Sequence, residues 1–247
     1  NDSVAQTPTP LSANVQDSAL AHLRGARVLL VEDNEINQQV ASELLHDQGL
    51  SVDIASNGQV ALERLAETEY DLVLMDMQMP VMDGLTATRR IRDQAQWAEL
   101  PIVAMTANAM AEDRQRCMDA GMNDFVAKPI EPDRLIKVLQ RWLAHHVARL
   151  PQPGPRHHTP TPVDTDALEQ AAQVPGLDVA QGLRRSGGKH GLYLSLLAQF
   201  AHSHAPFADQ LTEHLRQGHT EAARQLVHAL KGVAGNLGAT AVQESAT

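Results

Sequence analysis

The sequence predicts a doubly wound α/β domain on a parallel sheet, followed by a separate all-helical region. Three observations carry this. Short apolar runs recur between turn residues, as strands buried on both faces require. Helical stretches with one apolar stripe alternate with those runs. Prolines then cluster, and no strand pattern follows them.

Residues 1–23 are polar, carry Pro8 and Pro10, and read as a connector. The first strand is Val28 to Val31. A helix with Ile36, Val40 and Leu44 on one stripe follows, then Gly49 and a second run, Val52 to Ala55. Gly58 opens a helix through Val60, Leu62 and Leu65, and Leu72 to Met75 forms the third strand. A helix around Leu85 to Ile91, a fourth strand at Ile102 to Met105, and a helix from about Ala111 to Ala120, ended by Gly121, continue the cycle. A fifth strand, Phe125 to Ala127, meets Pro129, and Leu135, Val138, Leu139 and Trp142 mark the last amphipathic helix. Five strands alternating with five helices imply a parallel sheet with right-handed crossovers.

Between 148 and 165 come Pro151, Pro153, Pro155, Pro160 and Pro162, a composition that favours an extended linker and marks a domain boundary. Beyond it, Leu192, Leu196, Phe200, Phe207 and Leu211 predict a long helix or two collinear ones, with Pro206 as kink or restart. Gly218 ends this stretch. Thr220 fits an N-cap for a helix from Glu221 to about Gly235, with Ala223, Leu226 or Val227, and Leu230 on its apolar stripe.

Composition bounds the function. With 247 residues, 43% hydrophobic, 20% charged and a net charge of -10, the chain fits one or two globular domains rather than a disordered or fibrous polymer. No apolar run approaches the roughly 18 residues of a membrane span, and the opening lacks the apolar core of a signal peptide. A cytoplasmic location without membrane contact by this segment is expected. The single cysteine, Cys117, excludes an internal disulfide and reads as an ordinary helix residue. The acidic balance argues against nucleic-acid binding, which needs clustered Lys and Arg. The chain starts at Asn1 and stops at Thr247 amid helix-compatible sequence, and is expected to belong to a longer protein.

Asp76 closes the third apolar run, at the sheet edge where open α/β folds bind ligands. Glu32 and Asp33 close the first run beside it. Three converging carboxylates raise one another's pKa or require a cation, and Mg²⁺, a hard ion that keeps several waters, suits so open a set of oxygens. The fourth strand ends in Thr106 and Ala107, offering a hydroxyl beside a small residue, and the fifth in Lys128, offering an ammonium. Singly these could be an N-cap, a turn residue and a solvated lysine. Jointly they suit phosphoryl transfer to a carboxylate: Lys128 and Thr106 hold the phosphoryl oxygens, a cation neutralises them, and Asp76 attacks in line.

The stretches VLLVEDNEIN, DLVLMDMQMPVMDG, PIVAMTAN and DFVAKP resemble the receiver domain of two-component signalling, over residues 24–147. The resemblance implies a flavodoxin-like sheet in the order 2-1-3-4-5, with Glu32 and Asp33 as the acid pair for Mg²⁺. It also implies Asp76 as phosphoacceptor and ligand, with the backbone carbonyl of Gln78 at a further ligand position. Thr106 would be the switch hydroxyl, Lys128 the phosphate partner, Phe125 the switch aromatic, and Lys128-Pro129 a cis bond, inexpensive for X-Pro. On phosphorylation Thr106 would move inward, Phe125 would turn into the vacated space, and the surface of the fourth helix, fifth strand and fifth helix would change.

In VHALKGVAGNLGA, His228 falls opposite the apolar stripe and is expected to face solvent. Lys231 at i+3 can offset phosphate charge, while Gly232 and Gly235 keep that face low enough for another protein to approach. Two glycines inside a helix cost roughly 1 kcal/mol each relative to Ala, so another role retains them. An isolated histidine is usually an ordinary surface residue, and His145, His146, His157, His158, His202 and His204 are so read. His228 differs: HxxKG followed by NLGA resembles the phosphohistidine motif of histidine-phosphotransfer domains, over residues 166–247. Those domains are four-helix bundles, whereas this sequence stops where a third bundle helix should begin. Exposed apolar stripes are unfavourable by roughly 25 cal/mol per Å², so a truncated module, loosely held or completed by a partner, is expected.

Together the two resemblances read as the C-terminal region of a hybrid sensor histidine kinase. Phosphate would pass from a kinase histidine, upstream in the same parent chain, to Asp76, to His228, and then to the receiver of a downstream response regulator. The linker would let the modules meet. No ATP-binding domain is visible, so catalysis would be confined to phosphoryl transfer onto Asp76 and back to water. An alternative is a response regulator that controls an output partner through phosphorylation-dependent contacts, with the helical segment as docking module. A DNA-binding regulator would need a basic recognition helix. A flavin site would find its phosphate repelled by Glu32 and Asp33, and a carboxylate-nucleophile phosphatase would carry a second Asp where Gln78 stands.

Overall fold

The five apolar runs pair as five parallel strands in a computed structural model that describes residues 23–107, 111–144 and 165–246. The connector before Leu23, the proline-rich linker, His145, His146, His157 and His158 lie outside the described residues. The strands are β1 (Arg27–Val31), β2 (Ser51–Ala55), β3 (Leu72–Asp76), β4 (Ile102–Thr106) and β5 (Asp124–Ala127), in the order β2-β1-β3-β4-β5. Every residue of β3 and β4 is buried, as a central parallel strand covered on both faces demands. The covering helices are α1 (Glu35–Asp47), α2 (Gly58–Glu67), α3 (Gly84–Arg92), α4 (Ala111–Asp119) and α5 (Pro132–Trp142). Asn34 and Asn57 cap α1 and α2, their side-chain oxygens accepting two backbone N–H groups each. The Lys128-Pro129 bond is cis.

The helical region comprises α6 (Thr165–Ala172), α7 (Val179–Arg185), α8 (His190–Ser203), α9 (Phe207–Arg216), α10 (Thr220–Leu237) and α11 (Thr240–Ser245). The stretch expected as one long helix or two is two, with Pro206 at the start of the second, where it gives up no helical hydrogen bond. Helices α6 and α7 were not legible; Asp178 caps α7 by accepting from the Gln181 N–H at 2.9 Å. Thr220 is the first residue of α10, not its capping residue, and the preceding His219 makes no side-chain cap. Gly238 ends α10 with φ 74°, where a Cβ would stand 2.2 Å from the Asp178 carbonyl oxygen.

The helical module packs part of its apolar surface on the α/β domain. Tyr193, Leu196, Val233 and Leu237 are wholly buried in the same apolar cluster as Val40, Leu44, Ile130 and Leu143 of the α/β domain. The α/β domain of the same chain covers these four residues, while Phe207 and Leu211 of α9 and Val227 of α10 stay partly exposed. Ion pairs surround the contact: Lys189 Nζ lies 2.7 Å from both Glu43 Oε2 and Asp47 Oδ1 on α1.

Candidate functional site

The pleat and register of the sheet bring the acidic residues together. Val31 pairs with Met75, so Glu32 and Asp76 leave neighbouring strands at the same end, and Met105 stands opposite Asp76 with Thr106 one residue beyond. One carboxylate oxygen from each of Glu32, Asp33 and Asp76 lies within 4.8 Å of the others. Glu32 and Asp76 are buried, at 1% and 3% exposure. Gly84, legible only as a turn residue, allows α3 to start against this site, because a Cβ there would meet the Asp76 carbonyl oxygen at 2.1 Å.

Lys128 reaches in from the end of β5. Its Nζ donates to Glu32 Oε2 at 2.5 Å and to Asp76 Oδ2 at 2.7 Å. The Gln78 N–H donates to Asp76 Oδ1 at 3.3 Å. Burial raises the Asp76 carboxyl above its usual range, with the Lys128 charge opposing. Burial likewise raises Glu32, again against Lys128 and reinforced by Asp76, and raises Asp33, reinforced by Glu32. Burial alone would lower Lys128, but the charges of Asp76 and Glu32 outweigh it and hold the ammonium firmly protonated.

Three carboxylates against one ammonium leave about two negative charges in a desolvated pocket. An all-oxygen donor set with that imbalance fits a hard divalent cation. Thr106 is buried at the end of β4, and its carbonyl accepts from the Lys128 N–H at 2.7 Å. Phe125 is half-buried on β5, with the Arg114 guanidinium 5.4 Å above its ring.

His228 does not stand free in solvent as its helical position predicts. It is half-buried, and its pKa is lowered first by burial, then by the charges of Lys128 and Lys231, with Glu32 opposing. His228 lies four residues before Gly232 and seven before Gly235 on α10, on the helix face that meets Asn37 and Pro129 beside the acid site. Gly232 and Gly235 face the α/β domain too. A Cβ on Gly232 would meet Asn37 Nδ2 at 3.7 Å, and one on Gly235 would meet the Pro129 ring at 3.2 Å. The low glycine face accommodates the loop after β5.

Sequence reading missed the residues that seat α10. Arg185, 7% exposed, donates to Glu131 Oε1 from Nε at 3.1 Å and from Nη2 at 2.8 Å, and its Nη1 donates to the Gly235 carbonyl. Asn236 Nδ2 donates to Asn37 Oδ1 at 2.8 Å. These pairs are 54 and 199 residues apart, so no local pattern could signal them.

Comparison with known proteins finds matches to two domain families. The response regulator receiver domain family matches residues 28–140, and the Hpt domain family matches residues 195–247. The chain joins a receiver domain to an Hpt domain. The sensor histidine kinase GacS of Pseudomonas protegens is 36% identical over 196 residues, covering 77% of this chain and 20% of that protein. The signal transduction histidine-protein kinase BarA of Escherichia coli is 32% identical over 211 residues, covering 85% of this chain and 22% of that protein. The chain thus spans about a fifth of the length of these relatives. A solved receiver domain from a Pseudomonas aeruginosa sensor histidine kinase, described with magnesium in its active-site cleft, is 44% identical and covers 49% of this chain and 98% of its own, with a TM-score of 0.46. Among the described residues no helix is long and apolar enough to cross a membrane.

Proposed function

We propose that this chain is a phosphorelay module in which Asp76 accepts a phosphoryl group from a kinase histidine and exchanges it with His228, which passes it to the receiver of a downstream regulator. The packing of the His228 helix against Asn37 and Pro129, neighbours of Glu32 and Lys128, carries this reading. The domains run from 24 to 147 and from 166 to 247, and the kinase histidine belongs upstream in a parent protein of the GacS and BarA kind. The segment works in the cytoplasm, without contacting nucleic acid or membrane.

In the first transfer an Asp76 carboxylate oxygen forms a bond to phosphorus as the donor's P–N bond breaks, and the donor imidazole leaves with that electron pair. In the second, a neutral His228 ring nitrogen attacks the same phosphorus, the P–O bond breaks, and the Asp76 carboxylate is restored. Lowered basicity keeps the His228 ring neutral and ready to attack near pH 7. Lys128 follows the charge, pairing with the carboxylate before transfer and with the phosphoryl oxygens after it.

Glu32, Asp33, Asp76 and the Gln78 carbonyl would hold Mg²⁺, which supplies charge neutralisation of the phosphoryl oxygens. Thr106 hydrogen-bonds the phosphoryl group and Phe125 moves with it. Lys231 offsets charge at phosphorylated His228, while Gly232 and Gly235 admit the partner loop. Acetyl phosphate with Mg²⁺ tests the reading. Peptide mass mapping should find one phosphoryl group first on Asp76 and then on His228, and label on neither residue would overturn it.

A further inference from the structure

Asp76 is joined to the histidine helix by an unbroken line of side-chain hydrogen bonds. From Asp76 Oδ2 the line runs to Lys128 Nζ at 2.7 Å and on to Glu32 Oε2 at 2.5 Å. From Glu32 Oε1 it continues to Asn37 Nδ2 at 2.9 Å, and from Asn37 Oδ1 to Asn236 Nδ2 at 2.8 Å. Asn37 and Asn236 are 4% and 1% exposed, so solvent does not compete for these bonds. Their amide orientations follow from chemistry. The Glu32 carboxylate only accepts, which turns the Asn37 NH₂ towards it and the Asn37 oxygen towards α10, and Asn236 must then present its NH₂. Asn236 sits eight residues beyond His228 on α10, about 12 Å along the helix at 1.5 Å per residue.

We propose that Asn37 and Asn236 are positioning residues that couple the state of the Asp76 site to the seating of the His228 helix. The proposal rests on the phosphorelay reading above. At present Lys128 divides its ammonium between Asp76 and Glu32. A phosphoryl group on Asp76 draws Lys128 away from Glu32 Oε2, leaving that oxygen to the cation and Glu32 Oε1 to the Asn37 NH₂. Linked hydrogen bonds polarise one another, so a change of partners at Glu32 passes through Asn37 to its bond with Asn236. The histidine helix is held most tightly when there is a phosphoryl group to receive. Coupling is reciprocal, so a docked helix also favours the phosphorylated site over the empty one.

Amide hydrogen exchange tests this, with beryllofluoride and Mg²⁺ as the aspartyl-phosphate mimic. In the wild-type chain the mimic should slow exchange across residues 228–237 several-fold, and in Asn236→Ala it should leave that exchange unchanged. A merely structural role for the pair would alter the baseline but not the response to the mimic. Unchanged wild-type exchange, or an equal response in Asn236→Ala, overturns the coupling. If Asn236→Ala releases the helix altogether, the wild-type comparison alone decides, with slowed exchange upholding and unchanged exchange overturning. Acetyl phosphate labelling of Asp76 in a beryllofluoride-free portion of the same wild-type preparation separates the two levels: a labelled Asp76 with unresponsive α10 defeats the coupling only, whereas an unlabelled Asp76 defeats the phosphorelay reading.

Discussion

Lys128 Nζ lies 2.7 Å from Asp76 Oδ2, with both side chains almost wholly buried, at 6% and 5% exposure. Replacing the ammonium by a neutral chain of similar length, Lys128→Met, leaves two buried carboxylates without their cation. Breaking a buried pair in this way costs about 3–5 kcal/mol. Urea unfolding of the α/β domain should show a loss of that order, and labelling of Asp76 by acetyl phosphate should fall at least tenfold.

Arg185→Ala removes the donor to the Gly235 carbonyl and both donors to Glu131. The Gly235 carbonyl keeps the Gly238 N–H at 3.1 Å but loses its charged donor, a loss of about 1.5–3 kcal/mol. The loss should appear as faster amide exchange throughout α10 with little change in the strands. Arg185→Lys should not restore it, since a point ammonium cannot reproduce the two-sided fork.

Gly235→Leu tests the fit against Pro129. Even a Cβ would stand 3.2 Å from the Pro129 ring, so a branched chain must push the helix off the loop. Transfer from Asp76 to His228 within one molecule should drop at least tenfold, while Asp76 labelling by acetyl phosphate stays near the wild-type rate. Equal transfer rates would show that this face is not the seat of docking.

The docked state should weaken in acid. The folded His228 pKa lies below its ordinary value of about 6.5, so the released or unfolded chain binds the extra proton more readily. Stability from this group is complete above about pH 6.5 and is lost as pH falls through that value towards the folded pKa. Imidazole proton shifts followed by NMR should titrate below 6.5 in the whole chain. The midpoint should rise in Gly235→Leu, where burial of the ring is relieved and the Lys128 charge withdrawn.

How much of this was legible in the sequence follows from the range of the interactions. Leu72 to Asp76 and Ile102 to Thr106 announce themselves as continuous apolar runs because a parallel strand between helix layers has no solvent face. The placement of Glu32, Asp33, Asp76 and Lys128 follows from strand ends alone. The burial of His228 did not, because a helical wheel shows which face is polar but not what packs against it. Arg185 and Lys189 carry no local motif, yet one is buried against Gly235 and the other bridges Glu43 and Asp47. Their partners lie 50, 146 and 142 residues away, beyond any local period. Helices α6 and α7 escaped notice because each is short, eight and seven residues, without a full apolar stripe of its own.

The most direct test of the relay is phosphotransfer from a phosphorylated kinase histidine to the wild-type chain, Asp76→Asn and His228→Gln. The account predicts label on both Asp76 and His228 in the wild type, label confined to Asp76 in His228→Gln, and no label in Asp76→Asn. Labelling of Asp76→Asn at the wild-type rate would contradict it.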